Sequence, residues 1–138
     1  MTIDAWIRPT MLGGRIVDKI TAFGSDGYLL DVNDGQLRLY LGGDQISTTG
    51  AGLPAGIFTH VAGVYTGTSI ALYINGVLAA ERPTPLTAIT VNNHPVRIGA
   101  DSNGGSLTVG IIDEPRIFNR GLSAAEVAQL HWQTTNCQ

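Results

Sequence analysis

Asp101 and Asn103 stand two residues apart in "DSNGGS", a stretch rich in turn-forming residues. A hard cation such as calcium takes carboxylate, amide and backbone oxygens, so this pair is a candidate metal site. Asp31 and Asp34 repeat the pattern around Asn33-Asp34-Gly35. The same residue types also close turns by bonding their own backbone. Other chemistry is thinner. Asp113-Glu114 is the only adjacent acidic pair, and neighbouring side chains on a strand point to opposite faces. Retaining glycoside hydrolysis needs two carboxyl groups about 5 Å apart on one side. No nucleophile elbow is visible, and His60 in "THVAG" reads as a hydrogen-bonded core residue rather than a base. His94 and His131 are remote from each other, and the single Cys137 offers neither zinc spacing nor an internal disulfide.

Flat aromatic side chains beside polar groups can hold a saccharide, whose rings present C–H faces and hydroxyl edges. Tyr40 and Tyr73 face outward by parity, and Arg38 shares the face of Tyr40. Trp6 is less clearly placed, and Asn92, Asn93 and His94 form a polar loop. Tyr40, Tyr73, Arg38 and Asn103 are therefore the candidate ligand-binding residues.

These residues need strands to position them. "IALYINGVLAA" (70–80) is a hairpin turning at Asn75-Gly76, with Ile70, Leu72 and Ile74 on its core side. "YLLDVNDGQLRLYLGG" (28–43) is a second hairpin, in which Leu37, Leu39 and Leu41 alternate with Gln36, Arg38 and Tyr40. Further strands are expected at Thr2–Pro9, at Gly14–Phe23, near Ile46, at Phe58–Tyr65 and at Val96–Gly99. A last one runs over Leu107–Asn119, bent or bulged near Gly110 and Pro115. One helix follows, "LSAAEVAQLHW". Ser123 and Glu126 have capping-box spacing, Leu122 and Val127 are placed as a staple, and Val127, Leu130 and His131 form its buried stripe. Eight to ten short strands with one terminal helix predict an all-β antiparallel sandwich in a single domain over 1–138.

A formal net charge of −3 with 14% charged residues argues against a nucleic-acid partner. Asp4 and Arg8 interrupt the first ten residues, so no signal peptide is read there. No apolar run reaches the length of a membrane helix, so no membrane insertion is expected.

Three stretches, "TIDAWIRP", "FTHVAGVYTGTSIALYINGVLAA" and "VRIGADSNGGSLTVGIIDEPRIFNRGLSAAEVAQL", resemble the laminin G-like domains of the concanavalin A-like lectin/glucanase superfamily, bacterial type. The resemblance implies a jelly-roll β-sandwich with one short C-terminal helix. It also implies a non-catalytic binding module for carbohydrate or glycoprotein, assisted by calcium at the sandwich rim and working outside the cell. The alternative is a protein-interaction or adhesion module without sugar binding, with a hydrolase third. Such domains usually place one or two strands before the "AWI" strand. Their absence here predicts an open edge, met by a homo-oligomer or by a neighbour completing the sheet.

Overall fold

The computed structural model describes residues 1–135, so Cys137 lies outside the described residues. Ten strands form two antiparallel five-stranded sheets. Their bounds are β1 (Thr2–Pro9), β2 (Gly14–Lys19), β3 (Tyr28–Asn33), β4 (Gln36–Leu41), β5 (Asp44–Ser47), β6 (Thr59–Tyr65), β7 (Ser69–Ile74), β8 (Val77–Pro83), β9 (Arg97–Ile98) and β10 (Gly110–Phe118). Sheet A has the order β10-β1-β6-β7-β8, and sheet B the order β5-β4-β3-β2-β9. Two-residue turns close the hairpins. Asp34-Gly35 and Asn75-Gly76 both hold positive φ throughout (50° and 79°; 50° and 76°), the geometry that matches the twist of the flanking strands.

The two sheets bury one core between them. Ile70 and Leu72 from β7 meet Leu30 of β3 and Leu37, Leu39 and Leu41 of β4, with Ile74 packed at its margin. Period-2 alternation thus puts the expected residues inside. The helix α1 (Ala124–Thr135) starts at the expected capping box: Ser123 N–H donates to Glu126 Oε2 at 2.8 Å, and Glu126 N–H to Ser123 Oγ at 3.2 Å. The Arg120 guanidinium, with that cap, draws the Glu126 carboxyl down to about 2. Thr2 pins the approach to the helix, its hydroxyl accepting from Leu122 N–H at 2.9 Å and donating to Arg120 O at 3.0 Å.

β1 is not an edge. β10 and β6 flank it, so the open edge expected at the front of the domain does not lie beside this strand. Sheet A ends instead at β10 and β8, and sheet B at β5 and β9. The irregularity expected in β10 is present: the register shifts between Asp4 and Trp6, and Glu114 takes a φ of 47°.

The outer face of sheet A carries α1. Ala62, Val64, Ala71 and Tyr73 form a second apolar cluster with Leu122 and Val127, and Leu130 packs against it. Beside it, the rings of Trp6, His60 and His131 lie within 5.5–5.8 Å of one another. His60 Nε2 is 3.0 Å from Asp4 Oδ2, and both side chains are 0% exposed; Arg116 also bonds this carboxylate.

Burial and the neighbouring His60 push the His131 imidazole below its ordinary value. A histidine lowered in the fold is protonated first in the unfolded chain. Its stabilising contribution is therefore complete above about 6.5 and declines as pH falls toward the folded value. Urea midpoints measured at pH 7.5 and 5.5 should show a loss at the lower pH, and His131→Gln should shrink that loss.

Candidate functional site

The outer face of sheet B is lined by two cross-strand rows. Register sets Asp18 opposite Leu29, Leu29 opposite Tyr40 and Tyr40 opposite Gln45. The next row runs Arg15, Asp31, Arg38, Ser47. Residues 15 and 18 share a face because the register shifts between Arg15 and Val17. Without a bulge, strand residues three apart point to opposite sides. Here Ile16 and Val17 both enter the core, while Arg15 and Asp18 meet outside it, Arg15 Nε lying 3.2 Å from Asp18 Oδ2.

Two loops wall this face. The segment 101–106 is tied to β2 by Arg15 N–H donating to Ser106 O at 2.9 Å and by the Thr108 hydroxyl donating to Arg15 O at 2.6 Å. Asp101 organises it: Oδ1 accepts from Asn103 N–H at 2.9 Å and Gly105 N–H at 2.8 Å, and Oδ2 from the Ser106 hydroxyl at 2.8 Å. The segment 21–26 is closed by Asp26, which accepts from both the amide and the hydroxyl of Thr21 (2.8 and 2.6 Å). The Tyr40 hydroxyl donates to Gly24 O at 3.1 Å. This loop holds Phe23 fully exposed, with a φ of 62°. A bulky residue in left-handed backbone is rare and costs on the order of 1–3 kcal/mol.

Between the loops lies a cavity of about 380 Å³, within the size range of ligand pockets. Arg15, Asp18, Phe23, Arg38, Tyr40, Gln45, Asp101, Ser102 and Asn103 all contribute to its wall. Three of its buried polar atoms, Arg15 Nε, Asp18 Oδ2 and Ser102 Oγ, find no hydrogen-bond partner among the described residues. Arg15 Nε and Asp18 Oδ2 face each other as an ion pair without hydrogen-bond geometry, and a buried polar group left without a hydrogen bond costs up to about 1–3 kcal/mol, so this cavity has hydrogen-bonding capacity to spare.

The electrostatics are balanced. Asp31, 3% exposed, accepts from Arg38 Nε at 3.0 Å and Nη2 at 2.7 Å and also bonds Arg15. Both guanidinium groups of the cavity are thereby partnered. Burial raises the Asp18 carboxyl, whereas the Ser106 hydroxyl and the Gly105 amide hold Asp101 below the usual carboxylate range.

The expected site residues divide. Arg38, Tyr40, Asp101 and Asn103 are brought together around this cavity. Tyr73 is not with them: it is 7% exposed, on the other sheet, beneath α1. Its outward parity is correct, but the face it points from is covered by the helix. Asp31 and Asp34 do not form a pair either. Asp31 is buried against two arginines, and Asp34 sits exposed in the hairpin turn. Asn92 serves the framework, its side-chain amide donating to Lys19 O at 3.1 Å. The residues not anticipated are Arg15, Asp18, Phe23, Gln45 and Ser102. Phe23 alone left a signal, an aromatic set among turn formers in "TAFGSDG", but the expected strand ends on it, whereas β2 stops at Lys19 and the loop closed by Asp26 carries it.

No curated protein matches the sequence. Among solved structures, a putative carbohydrate binding protein from Bacteroides ovatus superposes with a TM-score of 0.78 at 19% identity, over 93% of this chain and 39% of that one. The binding domain of Paraclostridial Mosquitocidal Protein 1 gives 0.75 at 20% identity, over 98% and 37%. The heptameric SAP-like pentraxin from Limulus polyphemus gives 0.70 at 19% identity, over 94% and 68%. The chain thus spans about two fifths of the first of these. A laminin G family model of the Concanavalin A-like lectin/glucanases superfamily matches residues 1–128. Two antiparallel sheets, a capped C-terminal helix and that match agree: the chain belongs to the concanavalin A-like lectin/glucanase superfamily.

Proposed function

We propose that this chain is a non-catalytic carbohydrate-binding module whose site is the cavity on the outer face of sheet B. The observation that carries the reading is the set of buried atoms without a hydrogen bond among the described residues, Arg15 Nε, Asp18 Oδ2 and Ser102 Oγ, within a cavity that also has Phe23 and Tyr40 in its wall. Together they offer a donor, an acceptor, a hydroxyl that is both, and aromatic surface. A saccharide ring presents the complementary groups. Similarity to a putative carbohydrate binding protein and to the binding domain of a mosquitocidal protein supports a recognition role.

Our reading assigns calcium no part in this binding. Both Asp101 oxygens already accept loop donors, and no group of three or more His, Cys, Asp or Glu suited to a metal occurs among the described residues. Calcium takes six to eight oxygens, so the binding proposed here is calcium-independent. A second reading, a hydrolase, is favoured by one feature: Asp18 and Asp101 line the same cavity with carboxyl groups shifted in opposite directions. A glycan-panel titration, run with calcium and with a chelator and followed for new reducing ends, separates the readings. Unchanged binding in chelator without bond cleavage is expected, and Tyr40→Ala should weaken it. Chelator-abolished binding would reinstate calcium, and reducing ends lost in Asp18→Asn would reinstate the hydrolase. A folded protein that binds no glycan would leave an interaction module, for which the exposed Val77 and Leu78 of edge strand β8 are the candidate surface.

A further inference from the structure

Resting on that reading, we propose that the cavity selects a neutral saccharide bearing two adjacent hydroxyls. One donates to Asp18 Oδ2, its neighbour accepts from Arg15 Nε–H, and the apolar face of the ring lies on Phe23. Arg15 Nε and Asp18 Oδ2 are 3.2 Å apart and make no hydrogen bond among the described residues. They are a donor and an acceptor side by side, and Asp18 is 1% exposed. Vicinal hydroxyl oxygens of a pyranose stand at a comparable spacing, and each is donor and acceptor at once. A vicinal diol therefore satisfies both atoms with one hydroxyl each.

Charge argues for neutrality. The two guanidinium groups of the cavity already share Asp31, while Asp18 and Asp101 are on its wall. Three carboxylates against two guanidinium groups leave no spare cation. A uronate or sialate carboxylate would enter beside Asp18 with no counter-charge, and unpaired charge in a desolvated site is strongly disfavoured. A neutral diol adds no charge. The bulge in β2 supports the same assignment, because it is what turns Arg15 and Asp18 to a common face.

Phe23 supplies the platform. Its side chain is fully exposed, so nothing in the fold requires it, and its backbone is in the left-handed region. Strain and exposed apolar area at the rim of a polar cavity are retained together where a ligand uses them. Removing this platform should weaken binding up to roughly tenfold, about 1.4 kcal/mol.

The test is calorimetric titration of the full chain with matched probes: lactose and sialyllactose, and galactan and galacturonan oligomers, alongside mannose- and glucose-based oligosaccharides. At least one neutral probe should bind, and in every matched pair that binds the acidic member should be at least tenfold weaker. Asp18→Asn, close to isosteric, should lower the affinity for the neutral probe at least tenfold, and Phe23→Ala about tenfold. Phe23→Gly should lose binding to the same extent while its thermal midpoint stays level or rises, since glycine accepts positive φ. Preferential binding of the acidic probes overturns the inference and leaves the carbohydrate reading standing. So does neutral binding indifferent to both Asp18→Asn and Phe23→Ala. No binding of any probe by folded protein overturns both.

Discussion

Replacing Asp4 with alanine is expected to cost about 3–5 kcal/mol of folding stability, the range for removing one partner from a buried ion pair. Asp4 and His60 are both 0% exposed, and Arg116 reaches the same carboxylate across the β1–β10 pairing, donating through Nε at 3.1–3.2 Å. Without Asp4, His60 Nε2 loses its partner inside the protein and Arg116 loses its anchor on the neighbouring strand. The adjacent His60 Nδ1 already lacks a hydrogen-bond partner among the described residues, so nothing stands ready to absorb the change. A domain of ordinary stability has about 5–15 kcal/mol in total, and the urea midpoint of Asp4→Ala should fall accordingly. Asp4→Asn keeps the shape and one acceptor and should be milder. Arg120→Ala is the contrast: its fork to Glu126 is exposed, where ion pairs contribute little. An Asp4→Ala midpoint close to wild type would show that the buried carboxylate is not holding β1, β6 and β10 together.

Asp31→Ala should be the second large effect, and it should reach the site as well as the fold. Asp31 lies between Arg15 and Arg38 in the middle of sheet B. Its removal brings two partly buried guanidinium groups, 18% and 21% exposed, into mutual repulsion with only Asp18 left beside Arg15. A loss of about 3 kcal/mol follows from leaving buried charge uncompensated. The cavity wall would reorganise with it, so glycan affinity should fall even though Asp31 is not proposed to touch the ligand. Asp31→Asn distinguishes the roles: near-wild-type stability with weakened binding would mean that charge, rather than shape, sets the arginines. Full retention of both stability and affinity in Asp31→Ala would contradict the description of this row.

The framework was legible because period 2 is a local property. Leu37, Leu39 and Leu41 alternate with Gln36, Arg38 and Tyr40, and that alone sends Arg38 and Tyr40 to the outer face of sheet B. The same rule sent Tyr73 outward, and correctly, yet parity says nothing about what lies on a face. The covering element was partly visible: Leu122, Val127 and Leu130 needed an apolar surface, and Ala62, Val64, Ala71 and Tyr73 provide it.

The site was harder for two physical reasons. A bulge is not written in the alternation of "GRIVDK", which sets Asp18 on the parity of Ile16 and Ile20, although Ile16 enters the core and Asp18 does not. One inserted residue reverses the face of everything beyond it. The second reason is topology. β9 pairs with β2 across a long sequence separation, and that pairing, with the bonds of Ser106 and Thr108 to the Arg15 backbone, brings the Asp101 loop to Arg15 and Asp18. Phe23 is a local feature, but its positive φ is a consequence of the loop closed by Asp26 and Tyr40 rather than of its own residue type.

The central claim is that the outer face of sheet B binds saccharide. It is tested most directly by recording amide shifts of the isotope-labelled chain during titration with a neutral oligosaccharide mixture. The expected result is perturbation confined to residues 15–24, 38–45 and 101–106, on parts of three strands, β2, β4 and β5, and on the loops that come together at the cavity. Shifts confined to β6, β7 and α1, or to the β8 edge, would contradict it.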